Sequence, residues 1–374
     1  MNRLTLAVAG GRKTQSIVDA CARAPAGRRI LVLTYTQRNQ GELAHRLATR
    51  GPLAAKVDVQ GWFSFLLGHL VRPYLPCTFP GRRLNGLNFD GDPGRLVKGA
   101  RRFLDTSGRA YKRHLARLAH MTIESSDGAA IDRVARIYDH IWIDEVQDLN
   151  GYDLEILIAL MAAKVDLHMV GDIRQAILQT NTQDPKNKQF KGVNIKTWFD
   201  EQARKKRLEV FQTTSTWRCN PEIATFADSI FDPTWGFSPT ESRNHDAADH
   251  SGILAVDAAE AEAYAAAHSP LCLRHSVASW KQVDLPFINI GLAKGMGSDH
   301  VLVAPTNAML AFIESGKPLE VSAACSLYVA VTRARHSLAF LSKEPSKLGL
   351  PVWQPPTHTH KELQCQNGRS SAPG

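Results

Sequence analysis

Apolar residues along the first fifty positions fall in short unbroken runs separated by amphipathic stretches. Residues 4–9 (Leu-Thr-Leu-Ala-Val-Ala) and 29–34 (Arg-Ile-Leu-Val-Leu-Thr) have the length and composition of buried strands, whereas 15–22 and 41–48 read as helices. Strand, helix, strand, helix predicts a parallel sheet. From 68 to about 136 the texture loosens into Pro-, Gly- and Arg-rich sequence with helical pieces at 99–104 and 111–120, which predicts a small helical insertion spanning 67–136. Strands resume at 141–143 and 166–172, and a polar, Lys-rich stretch (181–196) leads to a helix at 196–206. A second α/β segment begins near 208. The expected division is a first domain at 1–206, a second at 207–350 and a disordered tail at 351–374, rich in Pro, Thr, His, Ser and Gly.

At 374 residues, with 44% hydrophobic and 22% charged positions, the chain has room for two sizeable cores. The longest mostly apolar stretch, 156–163, is too short to span a bilayer, and the N-terminus runs straight into a strand, so a cytoplasmic protein without membrane contact is expected. Six cysteines lie scattered with no Cys-x-x-Cys pair, which argues against a zinc site or a disulfide framework. A net charge of +9 points to a polyanionic partner, with nucleic acid first among candidates; any single basic run could equally be solvated loop charge.

The strand at 141–143 delivers Asp144 and Glu145 at its C-terminal end, followed by Gln147 and Asp148. Ligands of open α/β sheets sit outside the carboxyl ends of the strands, so one acid can hold magnesium and its neighbour can activate water. A phosphate cradle is expected upstream. Gly10-Gly11-Arg12-Lys13-Thr14, between the first strand and the first helix, supplies glycines, a Lys for the β/γ charge and a Thr hydroxyl for magnesium. The loop departs from the full P-loop pattern at Ala7 and Arg12, where glycines are usual, and an ordinary strand-to-helix turn is the alternative. Together the two elements read as ATP hydrolysis.

These segments, with Thr34-Tyr35-Thr36, Gly61-Trp62-Phe63-Ser64-Phe65, Val170-Gly171-Asp172-Ile173-Arg174-Gln175-Ala176, Trp217-Arg218, Ala293-Lys294-Gly295 and the run from Leu327 to Arg335 (LYVAVTRAR), stand in the order found in superfamily 1 helicases. From about residue 4 to 342 the chain resembles a compact helicase of the UvrD/Rep/PcrA type. The resemblance implies two RecA-like P-loop domains with parallel sheets, a small helical insertion in the first, and no large insertion in the second.

It also implies roles. Gly10, Gly11, Arg12, Lys13 and Thr14 would bind the triphosphate of ATP, with Thr14 and Asp144 on Mg2+ and Glu145 polarising the attacking water. Gln175 would sense the γ-phosphate, a turn-capping Gln being the alternative; Arg218 and Arg333 would act as arginine fingers, with Arg335 a rival to Arg333. Trp217 would stack on adenine, or be a core Trp. Thr34, Tyr35, Thr36, Trp62 and Phe63 would contact single-stranded DNA; the aromatics at 62, 63 and 65 could instead be a buried helix face, the better reading for Phe65.

Departures accompany the matches. No glutamine-bearing segment for adenine recognition precedes the first strand, Leu178 and Thr180 stand where base-stacking aromatics are usual, and Gly297 replaces an acid. The implied activity is ATP-driven 3′-to-5′ movement on single-stranded or partly duplex DNA, RNA being admitted by the same contacts, with a protein loading partner plausible for so small a motor. The alternatives are a translocase that does not unwind and a nucleic-acid-binding module whose ATPase has decayed.

Overall fold

The computed structural model describes residues 2–178, 180, 181 and 184–355. Six parallel strands form the first sheet, in the order Lys56–Gly61, Arg29–Thr34, His140–Ile143, Asp166–Gly171, Arg3–Ala7, Glu209–Thr213. Ile30 to Thr34 are all buried, because helices cover both faces of a parallel sheet and every side chain of a central strand then meets apolar neighbours. The connection from Arg3–Ala7 to Arg29–Thr34 skips two sheet positions that His140–Ile143 and Asp166–Gly171 later fill. The loops after Ala7, Ile143 and Gly171 therefore open on one edge.

Five parallel strands form the second sheet, in the order Gly252–Asp257, Ala334–Ser342, Ser298–Ala304, Leu271–Arg274, Ile288–Asn289. The fold is α/β with two RecA-like domains, as expected. The boundary expected at 206/207 falls one strand early: Glu209–Thr213 pairs in register with Arg3–Ala7, and the chain leaves the first sheet only after Thr213. Sequence texture marks where strands lie but not which sheet completes its edge with them.

The 67–136 segment is packed more firmly than its composition predicts. A continuous helical run from Trp62 through Thr78, the helices Leu115–Ser125 and Ala129–Ile137, and a short parallel pair, Gly86–Asn88 with Arg109–Tyr111, bury Leu66, Leu70, Leu84, Phe103 and Leu118 in the core shared with the first sheet. The piece at 99–104 is a short 3-10 turn (Gly99–Arg102), and that at 111–120 becomes the helix Leu115–Ser125. Of the tail expected at 351–374, residues 351–355 are described, and Trp353 donates its amide to Ala255 O at 2.9 Å at the edge of the second sheet. Residues 356–374, Cys365 among them, lie outside the described residues. Among the described residues no helix is long and apolar enough to cross a membrane, and Cys21, Cys77, Cys219, Cys272 and Cys325 are free thiols.

Candidate nucleotide site between the two domains

The loops after Ala7, Ile143 and Gly171, at the carboxyl edge of the first sheet, each meet a segment of the second domain. Gly10 has a positive φ (+73°), and a Cβ there would stand 2.5 Å from Thr216 Oγ1 and 2.7 Å from Arg218 Cβ, so only glycine lets the loop lie against the second domain. Thr216 Oγ1 donates to Ala9 O (2.7 Å), the Trp217 amide to Gly10 O (3.2 Å), and the Ala9 amide to the buried Tyr328 hydroxyl (3.2 Å). Arg12 closes the loop in a left-handed conformation (φ 56°) immediately before the helix Lys13–Arg23, whose free N–H groups face the cleft. Lys13 Nζ donates to the carbonyls of Ala7 and Val8, both at 3.3 Å, and lies 4.0 Å from Asp172.

The acids occupy the adjoining loop. Asp144 is buried; burial, then repulsion from Glu145, pushes its carboxyl above the usual carboxylate range. Glu145 holds a left-handed backbone (φ 56°), an unfavourable conformation for a non-glycine residue that turns its side chain into the cleft. Burial pushes Glu145 up as well, yet the nearby ammonium groups of Lys294 and Lys13 outweigh it and hold the carboxyl low. Gln147 donates to Glu145, and Lys294 Nζ lies 3.3 Å from it.

Gln175 bridges the domains. Its Nε2 donates to Asp172 (2.8 Å) and its Oε1 accepts from Arg333 Nη2 (3.2 Å). Arg333 also donates to the carbonyls of Val329 (2.9 Å) and Met296 (3.0 Å); burial, with the Arg218 charge beside it, lowers its pKa to about 9. Arg218 donates to Thr332 O at 3.1 Å. Arg335, the rival to Arg333, is exposed and pairs with Asp299 (3.2 Å) at the rim. Trp217, 40% exposed, lies under the Arg12 guanidinium, 4.3 Å from the ring centroid, at the wall of the cleft and not in the core.

These side chains line a cleft of about 760 Å³, walled by Gly10, Gly11, Arg12, Lys13 and Thr14 on one side and by Trp217, Arg218 and Arg333 on the other, with Glu145 and Gln175 between them. Among the described residues no cluster of three His, Cys, Asp or Glu side chains forms a ready-made metal cage. A magnesium held by one or two protein oxygens, water and phosphate needs none. The Asp144 carboxylate, raised by burial and then by its acidic neighbour, together with the Thr14 hydroxyl on the cleft wall, fits such a cation.

Of the residues read as contacting single-stranded DNA, two are corrected. Trp62 is 1% exposed and donates its indole N–H to Asp153 at 2.7 Å, and Thr34 is 1% exposed with its hydroxyl unpaired among the described residues. Thr34 ends a strand covered on both faces, and Trp62 lies on the core side of a helix whose other side exposes Ser64. Phe65 is core, the better of its two readings, and the Thr36 hydroxyl caps the helix Gln37–Ala48 by accepting from the Asn39 amide (3.1 Å). Tyr35 and Phe63 remain half-buried neighbours, ring centroids 5.8 Å apart. Sequence reading assigned no role to Tyr328, Asp172, Thr216 or the Lys294–Asp148 pair, all of which join the domains; the apolar runs beside Tyr328 and Asp172 predict burial but not the partner, and Thr216, in a polar stretch, carries no such signal.

Residues 100–190 match the family model of the UvrD/REP helicase N-terminal domain, a segment that contains Asp144, Glu145 and Gln175. No curated protein matches the chain. Similar solved structures include the PRRSV helicase (13% identity, 93% of this chain and 54% of that one, TM-score 0.44) and arterivirus nonstructural protein 10, a helicase, by itself (13%, 93% and 62%, TM-score 0.46) and in complex with DNA (13%, 93% and 63%, TM-score 0.43). The chain thus spans between half and two thirds of the length of those structures. The resemblance to UvrD-like superfamily 1 helicases holds over residues 100–190.

Proposed function

We propose that this chain, UvrD-like in the segment that carries its acidic loop, is an ATP-dependent nucleic-acid motor that moves 3′-to-5′ on single-stranded DNA and separates strands as it goes. One observation carries the reading: Lys13, Glu145 and Gln175 of the first domain and Arg218 and Arg333 of the second line a single cleft. Lys13 leaves the loop carbonyls for the β/γ-phosphates, since a triphosphate is the better partner for an ammonium. Glu145, held ionised by Lys294 and Lys13, accepts a proton from the attacking water, and Gln175 orients that water. Arg218 and Arg333 neutralise the charge that spreads over the transferring phosphoryl group. Magnesium, bound through Thr14 and Asp144, would supply further charge neutralisation on the β- and γ-oxygens. Trp217 would offer its face to the base. Because Arg333 and Gln175 are already bonded across the domain boundary, a nucleotide that recruits both changes how the domains meet, and the grip on the strand changes with it.

The test is steady-state ATP hydrolysis with and without single-stranded DNA, for the native chain and for Glu145→Gln. DNA-stimulated hydrolysis that the variant loses supports the motor; no hydrolysis in either overturns it in favour of a binding module. Strand displacement of a partial duplex then separates unwinding from translocation, and an RNA of the same sequence separates the two nucleic acids. The longest connection between strands of the second sheet, 305–333, is filled by the helices Asn307–Ser315 and Val321–Val331, which supports the translocase as second reading, since a large inserted wedge has no place there.

A further inference from the structure

Residues 67–136 hold thirteen Lys and Arg against six Asp and Glu, a surplus of +7 in a chain whose total is +9. The charge that pointed to a polyanion is therefore concentrated in the insertion and not in the ATPase core. Its arrangement is specific. The parallel strands Gly86–Asn88 and Arg109–Tyr111 run side by side, and the residues that leave their C-terminal ends, Phe89 and Lys112, come together. Phe89 is 61% exposed, and Lys112 Nζ stands between two rings, 5.2 Å from the centroid of Phe63 and 6.0 Å from that of Phe89. Phe63 in turn meets Tyr35. Tyr35, Phe63, Lys112 and Phe89 thus form a track from the motor domain onto the insertion. At the opposite ends of the same strands, Arg82, Arg83 and Arg101 line a cavity of about 360 Å³; the carboxylate on its wall, Asp105, is taken by Arg109 at 2.8 Å. Three residues of parallel strand separate the two ends by roughly 10 Å.

We propose that the insertion is a single-strand-binding element: Phe89 stacks on a base, Lys112 contacts the phosphate beside it, and Arg82, Arg83 and Arg101 hold the phosphates that follow. The proposal rests on the nucleic-acid reading of the motor and extends it to residues outside the helicase motifs. An exposed phenyl ring beside an ammonium and a row of guanidinium groups matches a single strand, which presents an accessible π-face and a charge at every nucleotide; a duplex hides its base faces. The track also compensates for Leu178 and Thr180, which lack rings.

Fluorescence anisotropy of a labelled oligo(dT) with the full chain, without nucleotide and over a salt series, tests this. Phe89→Ala is expected to weaken binding by about five-fold or more, and Phe89→Leu, which keeps apolar bulk without the ring, to do the same. Replacing Arg82, Arg83 and Arg101 together with Gln should make the plot of log affinity against log salt shallower by about 2, near 0.7 for each phosphate that is no longer neutralised. Native affinity in both Phe89 variants, or a native salt slope in the triple variant, overturns the proposal. Binding is read without ATP turnover, so a chain that binds DNA through the insertion yet hydrolyses no ATP sinks the motor and leaves this element standing.

Discussion

Lys294, carried by the second domain, sets its Nζ 2.7 and 2.8 Å from the two carboxylate oxygens of Asp148 in the first. Both groups are buried, and the same ammonium reaches Glu145. Lys294→Met should therefore leave the buried Asp148 carboxylate uncompensated and cost about 3–5 kcal/mol, measured as a lowered urea midpoint. A variant as stable as the native chain would show that the pair contributes nothing net.

The Asp148 carboxyl gives stability a pH dependence of definite sign. Burial pushes it up to about 7 although Lys294 pulls the other way, whereas an unfolded Asp titrates near 4. Between these values the folded chain holds a proton that the unfolded chain has released. Its contribution is complete below about 4 and is lost as pH rises through about 7. Urea midpoints at acid and neutral pH should differ less in Asp148→Asn than in the native chain; an equal difference would place the titration elsewhere.

Trp62→Phe removes the indole N–H from Asp153 and little else. A buried carboxylate that loses one donor costs about 1–3 kcal/mol, and the affinity for single-stranded DNA should not move, because protein covers the ring completely. Denaturation and anisotropy on the same sample check both halves. A large loss of affinity at native stability would return Trp62 to the nucleic-acid surface.

Two glycines should respond oppositely to one added methyl group. Gly10→Ala meets Thr216 and Arg218 at a positive φ and should abolish the contact between loop and second domain, and ATP hydrolysis with it. Gly41→Ala lies within the helix Gln37–Ala48 with nothing inside 4 Å of the new carbon and should stabilise the chain by about 0.5–1 kcal/mol. Thermal unfolding and hydrolysis rates give the comparison; an active Gly10→Ala would refute the close approach.

Arg333 donates to four acceptors, on Val329, Met296, Gln175 and Thr332, a pattern only a guanidinium can complete. Arg333→Lys should lower kcat for ATP by about a thousand-fold. Adding Gln175→Ala should lower it little further, since the two side chains act as one unit. Multiplying losses in the double variant would separate their roles.

By itself the sequence determined the parallel α/β architecture, the position of four strands of the first sheet and most of the residues that line the cleft. Apolar runs of strand length are long-range in consequence but local in signal, and Asp144-Glu145, Gly10 to Thr14 and Arg333 are short motifs whose residue types suit one kind of work. The tertiary structure alone decided which candidates face solvent. Trp62 and Trp217 look alike along the chain, yet one is sealed against Asp153 and the other lines the cleft, because burial depends on what packs across from a side chain and not on its neighbours in sequence. It also decided that Glu209–Thr213 completes the first sheet and that Lys294 meets Asp148 across 146 residues of chain, since strand pairing and ion pairing are settled by the register of whole elements. The surplus charge is plain in the composition; only the paired strands of the insertion bring Phe89, Lys112 and Phe63 together.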